Sequence, residues 1–256
     1  MKKNGYSAPS VKKAFRILHA IADSSGGLGV SDLAKKLNVG KSTVHGITAG
    51  LEDLGVLVRD PIGKKFNLGF TLLELSRKAQ ARMGLREVAR IPMERLMEKV
   101  GETVFLGVMN GDHVTILDVV ESRNEMKITS PPGTRLPLLV AATGRVFLGQ
   151  LELAKAVEIV KKMGLVKYTP NATVDPKKFL REMEEAKKKG YAIDHEEYML
   201  GVRAVAAPIQ TSSFPPAGIW VVGFASSLND QKIEKVVTEI RKTVQEISRS
   251  LNPVVA

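Results

Sequence analysis

Cysteine is absent from the 256-residue sequence. Disulfide scaffolds, cysteine-ligated zinc and thiol catalysis are therefore excluded for this chain. Aromatic residues make up only 5% of it and include a single tryptophan, Trp220. No stretch approaches the roughly 18–20 consecutive apolar residues of a membrane-spanning helix, and no apolar run follows the N-terminal lysines, as a signal peptide would require. We therefore expect a cytoplasmic protein with no membrane partner.

Residue patterns typical of enzymes are also missing, because we find no glycine-rich phosphate loop and no nucleophile elbow. Residues 194–197 (Asp-His-Glu-Glu) resemble a metal or acid–base cluster, but a polar loop in which Asp194 alone reaches a pocket is the favoured interpretation. His113, Asp118 and Glu121 are a second candidate set. The odd separation of His113 and Asp118 predicts opposite faces of a strand, which argues against a shared metal. We expect no catalytic site, metal or cofactor.

Positive charge is concentrated in the first part of the chain. The net charge is +11, and residues 1–100 hold 18 Lys and Arg against 9 Asp and Glu, whereas residues 101–256 hold 20 against 18. A basic module joined to a near-neutral one is typical of nucleic-acid-binding proteins. A generally basic surface is the alternative, and the asymmetry disfavours it. The length leaves room for two domains.

Two amphipathic patterns around a glycine-containing turn predict a helix-turn-helix. The first follows Ser31, a candidate N-cap, and ends near residue 37; the turn is residues 38–40. The second covers residues 41–54, with glycines at 46 and 50 on its outer side. Its apolar stripe consists of Val44, Ile47, Leu51 and Leu54. Such a second helix enters the major groove of DNA.

The flanking segments complete a winged helix-turn-helix at residues 8–70. A helix at residues 10–22, with Ser10 as a candidate cap, precedes it; its predicted stripe is Val11, Ala14, Phe15, Leu18, Ile21 and Ala22. Gly55 ends the recognition helix. Short β-runs at residues 56–59 and 65–68 surround a Pro/Gly turn and predict the wing. The wing carries Arg59, Lys64 and Lys65, which suit contacts with phosphates.

The recognition helix begins with four polar residues: Lys41, Ser42, Thr43 and His45. We favour DNA contact for Ser42 and His45 and a phosphate contact for Lys41. The alternative is that Ser42 or Thr43 only caps the helix and that His45 is solvated. For Thr43 the two interpretations are equally supported.

The rest of the chain predicts an α+β protein. Residues 71–100 are interpreted as a linker helix and an entry helix, with interruptions at Gly84 and Pro92. Residues 101–253 are expected to form one mixed domain with a hairpin turn at residues 110–112. Strands are predicted at residues 103–109, 114–120, 126–129, 190–194, 202–209 and 219–225, and helices at residues 141–149, 151–163, 175–189 and 231–250.

The motifs together resemble the IclR-type transcriptional regulators. The N-terminal part carries residues 11–18 (VKKAFRIL), 32–34 (DLA), 41–45 (KSTVH) and 66–69 (FNLG). The C-terminal part carries residues 101–104 (GETV), 136–138 (LPL), 142–145 (ATGR), 168–171 (YTPN), 190–194 (GYAID), Glu197, 201–203 (GVR) and 207–209 (API). The resemblance implies a homodimer or homotetramer, a palindromic double-stranded DNA operator, and a GAF-like C-terminal domain that binds a small carboxylate effector.

The resemblance also implies an effector pocket, whose candidate residues are Leu138, Ala142, Gly144, Arg145, Asp194, Ala204, Trp220 and Val222. The helix start at residues 142–145 would offer backbone N–H groups to a carboxylate; a tight packing corner is the alternative. Gly46, Ala204, Trp220 and Val222 depart from the family pattern, which often has arginine, cysteine and a pair of serines there. An indole and an isopropyl group predict an apolar or aromatic carboxylate, unless the indole itself fills the pocket.

We therefore expect a ligand-responsive transcriptional regulator, a repressor of neighbouring metabolic genes. Two alternatives come from other classes. One is an enzyme that acts on a small acid through the Asp194 region, with an accessory DNA-binding module. The other is a constitutive architectural DNA-binding protein whose C-terminal part only assembles subunits.

Overall fold

The computed structural model describes residues 8–211 and 215–252. It divides into two compact units, Met1–Arg82 and Met83–Ala256. Among the described residues, none of the helices combines the length and the apolar composition that a membrane span requires.

The described part of the first unit contains three helices and a two-stranded hairpin, followed by a fourth helix. The elements are α1 (Pro9–Ala22), α2 (Val30–Leu37), α3 (Lys41–Asp53), β1 (Leu57–Arg59), β2 (Phe66–Leu68) and α4 (Thr71–Met83). The hairpin strands pair antiparallel, with Arg59 opposite Phe66. Ile17, Leu33, Val44, Leu57 and Phe66 form the centre of the core. This arrangement confirms the predicted winged helix-turn-helix.

The predicted N-caps of the first two helices are wrong. Helix α1 begins at Pro9, because proline suits the first helical position, and this places Ser10 inside the helix. Helix α2 begins at Val30 with Gly29 as its N-cap, and the Asp32 carboxylate accepts a hydrogen bond from the Gly29 N–H at 3.1 Å. Ser31 is therefore in the first turn. The C-cap of α3 is Leu54, and Gly55 follows it with a φ of +66°. The glycine predicted to end the helix therefore lies one residue beyond the cap.

Two apolar stripes are also only partly buried. In α1 the buried residues are Ile17, Ala20 and Ile21, whereas Val11 and Phe15 are 56% and 59% exposed. In α3 the buried residues are Val44 and Thr48, and Leu54 is exposed. Apolar spacing identified the helices, but it did not identify which apolar residues their small core would use.

The helical segment after the hairpin is interrupted once. Gly84, with φ +56°, separates α4 from α5 (Leu85–Val100). The second predicted interruption is wrong, because Pro92 lies inside α5 and is buried. Burial of the neighbouring Ala89, Met93 and Leu96 compensates for the helical hydrogen bond that proline cannot donate.

The described part of the second unit is built on a six-stranded antiparallel sheet with the order β5-β4-β3-β8-β7-β6. Its strands are β3 (Thr103–Asn110), β4 (His113–Val120), β5 (Arg135–Pro137), β6 (Ala192–His195), β7 (Val202–Ile209) and β8 (Ala217–Phe224). Helix α5 and the long α9 (Asp230–Leu251) cover one face. The other face carries α6 (Ala141–Leu148), α7 (Leu153–Met163) and α8 (Pro176–Lys189).

The sheet differs from the prediction at one edge. Residues 126–129 are described but form no strand, and β5 takes the edge position beside β4. Ile128 packs against the core although it pairs with no strand, and Met126 is 77% exposed. The alternating apolar residues therefore reflect contact of a loop with the core, which has the same sequence pattern as a strand.

A β-bulge overturns the predicted separation of His113 and Asp118. The pairing of β3 with β4 shifts between Leu106 and Gly107, which leaves Leu117 as an extra residue. Leu117 and Asp118 consequently both lie on the sheet face that packs against α5. Alternation along β4 places His113 on the same face. The two groups still have separate partners, Arg90 for Asp118 at 3.2 Å and Asp112 for His113 at 2.9 Å. The described residues contain no metal-binding group of three or more His, Asp or Glu.

Candidate functional site

The start of α3 presents polar side chains to solvent. Lys41, Ser42, Thr43 and His45 are all exposed. Gly40 is the N-cap, and among the described residues no side chain caps this helix. The capping alternative for Ser42 and Thr43 is therefore wrong. The first-turn N–H groups have no intrahelical acceptor, which makes this helix end suited to a phosphate.

The outer side of α3 is unobstructed. A Cβ built on Gly46 or Gly50 would meet no atom of the described residues within 4 Å. Internal packing therefore does not explain why glycine stands at these positions, although each glycine lowers helix stability by about 1 kcal/mol relative to alanine. Close approach of another backbone to this side is a physical reason for the two glycines.

The wing is a tight turn held by one carboxylate. Asp60 accepts hydrogen bonds from the backbone N–H groups of Ile62 and Gly63, both at 3.0 Å. Lys64, with φ +51°, follows at the tip, and both it and Lys65 are exposed. The Arg59 guanidinium lies 5.6 Å from the centroid of the Phe66 ring. The hairpin therefore presents three cations, and all seven predicted DNA-contacting side chains lie on the surface of the first unit.

A cavity of about 280 Å³ lies on the α6 side of the sheet in the second unit. Five of the eight predicted effector residues line it: Ala142, Asp194, Ala204, Trp220 and Val222. The strand register explains their convergence, because Asp194 pairs with Ala204 and Ala204 pairs with Val222 in one row across β6, β7 and β8. Trp220 lies two residues along β8, on the same face.

Further lining residues were not predicted. They are Phe105, Ile116, Ile128, Thr129, Ser130, Thr134, Arg135, Leu136, Val140, Thr143, Tyr198, Met199 and Val202. Alternation along β3 and β4 assigns Phe105 and Ile116 to a sheet face. It does not tell which face opens into a cavity, and residues such as Thr129 and Met199 lie in loops that carry no periodic signal.

Two of the predicted effector residues pack behind the cavity and do not line it in the described part of the chain. Leu138 is fully buried in the core. A Cβ on Gly144 would lie 2.8 Å from the carbonyl carbon of Leu139 and 2.9 Å from the carbonyl oxygen of Leu138. Gly144 is thus a packing glycine, as the alternative of a tight corner predicted.

Arg145 points away from the cavity and into an ion-pair network. Its Nη1 donates to Glu197 and its Nη2 to Glu182, both at 2.6 Å, and the guanidinium lies 5.6 Å from the centroid of the Phe179 ring. Burial lowers the pKa of Arg145, but hydrogen bonds and charge attraction from Glu197 and Glu182 outweigh burial and raise the pKa above its ordinary value. The positive charge is permanent and is committed to these two carboxylates.

Asp194 is a buried acidic residue that lines the cavity. It is 5% exposed, and its Oδ1 accepts the backbone N–H of Glu197 at 2.6 Å. Burial raises the pKa of Asp194 to about 6, and the negative charge of Glu197 adds to this rise. The hydrogen bond from the Glu197 N–H and the positive charge of Arg145 both act to lower the pKa. Asp194 therefore changes its charge within one to two pH units of neutrality.

Residues of the first turn of α6 line the cavity. Val140 is its N-cap, and the Gly144 N–H donates to the Val140 carbonyl at 2.8 Å. The N–H groups of residues 141–143 precede this bond and have no acceptor within the helix. Ala142 and Thr143 also line the cavity. A carboxylate can accept hydrogen bonds at this end, where the helix dipole favours negative charge.

The indole of Trp220 is one of the aromatic groups in the wall. It stacks on Phe105 with 5.5 Å between ring centroids and 13° between planes, and it meets Phe147 edge-on at 6.3 Å. The cavity remains open beside it. An apolar cavity of about 150 Å³ is sufficient for a benzene-sized molecule.

A winged helix-turn-helix and a separate unit with a ligand-sized cavity define the class of ligand-responsive DNA-binding regulators. Comparison with known proteins identifies the family. Residues 10–61 match the IclR helix-turn-helix domain, and residues 77–249 match the bacterial transcriptional regulator IclR C-terminal domain. The chain therefore belongs to the IclR family: it is a DNA-binding transcriptional regulator and not an enzyme.

Individual relatives agree with this assignment. The chain is 31% identical to the HTH-type transcriptional regulator BhcR of Paracoccus denitrificans over 245 residues, covering 95% of this chain and 88% of that protein. It is 26% identical to the HTH-type transcriptional repressor AllR of Escherichia coli K12, covering 95% and 90%. The fold resembles an IclR homologue from Microbacterium hydrocarbonoxydans complexed with 4-hydroxybenzoate, with a TM-score of 0.78, 22% identity and coverage of 94% and 98%.

Proposed function

We propose that this regulator is a repressor that releases its operator when a small aromatic or apolar carboxylate enters the cavity of the second unit. The observation that carries this proposal is the composition of the cavity wall. The first turn of α6, whose N–H groups have no acceptor within the helix, forms one part of it, and Trp220, Val222 and Ala204 form an apolar part. Repression is supported by the likeness to AllR, which is named a repressor.

The apolar wall argues against small hydroxyl-rich acids. Each buried polar group of such an acid that finds no partner would weaken binding by roughly 1–3 kcal/mol. An aromatic body instead gains about 25 cal/mol for each Å² of apolar surface removed from water, and its ring can stack on Trp220. The homologue that binds 4-hydroxybenzoate supports the proposal, because a related fold accommodates an aromatic carboxylate.

DNA binding is assigned to residues 8–70, and the seven exposed polar residues described above are its proposed contacts. Lys41, Ser42, Thr43 and His45 would enter the major groove with α3, while Arg59, Lys64 and Lys65 of the wing would contact phosphates. A palindromic operator follows if two subunits bind one duplex, with half-site centres about 34 Å apart or a multiple of this distance. Residues 71–100 connect to the effector-binding part, residues 101–253.

Subunit pairing would cover the exposed apolar surface of the first unit. Val11 and Phe15 of α1 are exposed, as are Leu73 and Leu75 of α4 and the preceding Phe70. A small helical module does not need these residues for its own core, and pairing across a two-fold axis would bury them. We therefore propose a homodimer or homotetramer.

The alternatives fit less well. An enzyme that uses Asp194 is disfavoured by membership of a regulator family. An architectural DNA-binding protein would have no use for a cavity with a charged group, backbone donors and an aromatic wall. Thermal shifts with a panel of metabolites distinguish the regulator from the architectural protein.

The test combines DNA and ligand binding on the full chain. Fluorescence anisotropy with the DNA upstream of its own and neighbouring genes should find a duplex whose affinity falls steeply between 50 and 200 mM salt, as counterions are released. Benzoate should quench or shift the emission of Trp220 and release that duplex, whereas pyruvate should do neither. Equal binding to random DNA, or tight pyruvate binding without any response to benzoate, would contradict the proposal. Silence to both acids in the unmodified chain, with benzoate releasing the duplex from Trp220→Ala, would mean that the indole blocks the site.

A further inference from the structure

The position of the Trp220 indole depends on a residue that does not line the cavity. Trp220 of β8 pairs with Phe105 of β3, and Gly107 follows two residues along β3. An ideal Cβ on Gly107 would lie 2.8 Å from Cη2 and 2.9 Å from Cζ3 of the indole. The far edge of the indole therefore lies directly over the bare backbone of Gly107, closer than any side chain at that position would permit.

This placement turns the indole away from the middle of the cavity. Val222 lies two residues after Trp220 in β8 and pairs with Thr103. The row Asp194–Ala204–Val222 therefore crosses the sheet on the C-terminal side of Trp220 along β8. Gly107 pairs with Gly218 on the other side. By leaning over Gly107, the indole leaves open the space above the row that carries Asp194. Stacking on Phe105 and edge contact with Phe147 hold it there.

We propose that Gly107 determines the ligand size that the cavity accepts, because the missing side chain lets the Trp220 indole lie on β3 and keeps room for a planar, ring-sized ligand. The inference deepens the proposed function and rests on the assignment of this cavity to the effector. A methyl group at residue 107 displaces the indole toward Val222, since the strand backbone cannot move without disturbing pairing on both sides. The larger the side chain at position 107, the smaller the ligand that fits.

The experiment compares Gly107→Ala, Trp220→Phe and the double variant in the full chain, with benzoate as the ligand and calorimetry as the readout. Gly107→Ala should weaken benzoate binding at least tenfold. A phenyl ring is shorter than an indole, so Trp220→Phe should restore most of the lost affinity in the double variant. Val114 Cγ1 would also lie 2.9 Å from the new methyl group, and a defect caused by that contact would not respond to Trp220→Phe.

Gly111→Ala is the matched control. Gly111 lies in the turn between the same two strands, has φ +66°, and meets no atom of the described residues within 4 Å of an added Cβ. Its substitution strains the backbone of the hairpin without touching the indole. Benzoate affinity should stay within about twofold of the unmodified chain. A loss as large as that of Gly107→Ala would attribute the defect to general destabilisation and overturn the inference.

Xenon provides a probe that does not depend on the effector. Apolar cavities take up xenon, and the single tryptophan gives a single indole N–H resonance. Xenon should shift this resonance in the unmodified chain and in Gly111→Ala, but not in Gly107→Ala. An equal xenon shift in Gly107→Ala would overturn the inference. If benzoate fails to bind the unmodified chain while xenon follows the expected pattern, the assignment of the effector is wrong and the role of Gly107 in cavity size stands.

Discussion

The guanidinium of Arg145 forms a bidentate salt bridge with the carboxylate of Glu197, in which Nη1 donates to Oε1 at 2.6 Å and Nη2 donates to Oε2 at 2.7 Å. Arg145 is 5% exposed, so its charge is removed from water. Because Glu197 lies three residues after Asp194, whose Oδ1 accepts the Glu197 N–H, the same contact fixes the loop that follows β6 at the edge of the cavity. Arg145 does not line the cavity, but through Glu197 it positions the loop at the cavity edge.

Arg145→Ala should lower the free energy of unfolding by about 3–5 kcal/mol. The substitution leaves the carboxylates of Glu197 and Glu182, 13% and 26% exposed, without their shared cation, and removal of one partner from a buried pair is strongly destabilising. Urea denaturation measures the loss. Arg181→Ala, which removes an exposed arginine of α8, is the control and should change stability by less than about 0.5 kcal/mol. If the free energy of unfolding of Arg145→Ala lies within about 1 kcal/mol of that of the unmodified chain, instead of falling by about 3–5 kcal/mol, the network contributes little to stability.

Asp194→Asn should stabilise the protein at neutral pH and have little effect in acid. Burial raises the pKa of Asp194 from 3.8 to about 6, so the native state favours the protonated carboxyl. The stability that Asp194 contributes is therefore full below pH 4 and is lost as the pH rises through 6. Asparagine stays neutral and can still accept the Glu197 N–H. We expect a gain of up to about 2–3 kcal/mol at pH 7.5.

Urea unfolding of both proteins at pH 4.5 and pH 7.5 checks this expectation. The difference between the two proteins is the informative quantity, because other carboxyl groups titrate in both. A gap of the same size at the two pH values would mean that Asp194 does not titrate between them.

His45→Ala and Lys65→Ala should weaken DNA binding in different ways. His45 is exposed at the start of α3, where a contact to a base edge carries discrimination of about 1–3 kcal/mol. Lys65 lies on the wing, and a phosphate contact carries no direct discrimination. Binding to the operator and to point-substituted operators should show a relaxed base preference only for His45→Ala. An unchanged preference profile in that variant would remove His45 from the residues that read the sequence.

The organisation of the first unit could be predicted because its signals are local. The spacing of Val44, Ile47 and Leu51 defines α3 within one turn of its real end, and Gly84 marks a true break. The choice of buried residues was less accessible. Phe15 and Ile17 are both apolar, and only the three-dimensional core decides that Ile17 is buried while Phe15 remains exposed.

The family resemblance predicted five of the cavity residues, namely Ala142 of α6 and four residues of the sheet. Asp194, Ala204, Trp220 and Val222 meet through cross-strand pairing, and family likeness indicated their positions. Arg145 was assigned to the cavity because its backbone belongs to α6, but its partners are 37 and 52 residues away along the chain. Sequence patterns do not encode such distant pairings. Nor do they encode the bulge at Leu117, which reversed the expected relation of His113 to Asp118.

Phe15→Glu should dissociate the oligomer. Phe15 is 59% exposed in the first unit, and a charge at its position would have to be desolvated in a paired interface. Light scattering at micromolar concentration should show a larger species for the unmodified chain and a monomer, or a dimer in place of a tetramer, for the variant. Ile62→Glu places the same charge at an exposed apolar residue of the wing and should leave the mass unchanged. A monomeric unmodified chain would contradict the proposed assembly.

Binding of an aromatic carboxylate should strengthen as the pH falls from 8 to 5.5. Benzoate stays ionised over most of this range, as an unperturbed carboxyl group does, whereas Asp194 takes up a proton near pH 6. Two carboxylates in one cavity repel each other, so the protonated form of Asp194 accepts the ligand better. Among the charged groups near Asp194, Glu197 favours this protonation and Arg145 opposes it.

Calorimetry across the range should give affinities that rise by up to about tenfold per pH unit above the pKa of Asp194 and level off below it. Asp194→Asn should bind benzoate at pH 8 about as tightly as the unmodified chain does at pH 5.5, with little dependence on pH. Glu158→Gln removes an exposed carboxylate of α7 and should keep the full dependence. The same slope in Asp194→Asn as in the unmodified chain would assign the proton to another group, and a flat profile in the unmodified chain would place the ligand carboxylate beyond the reach of Asp194.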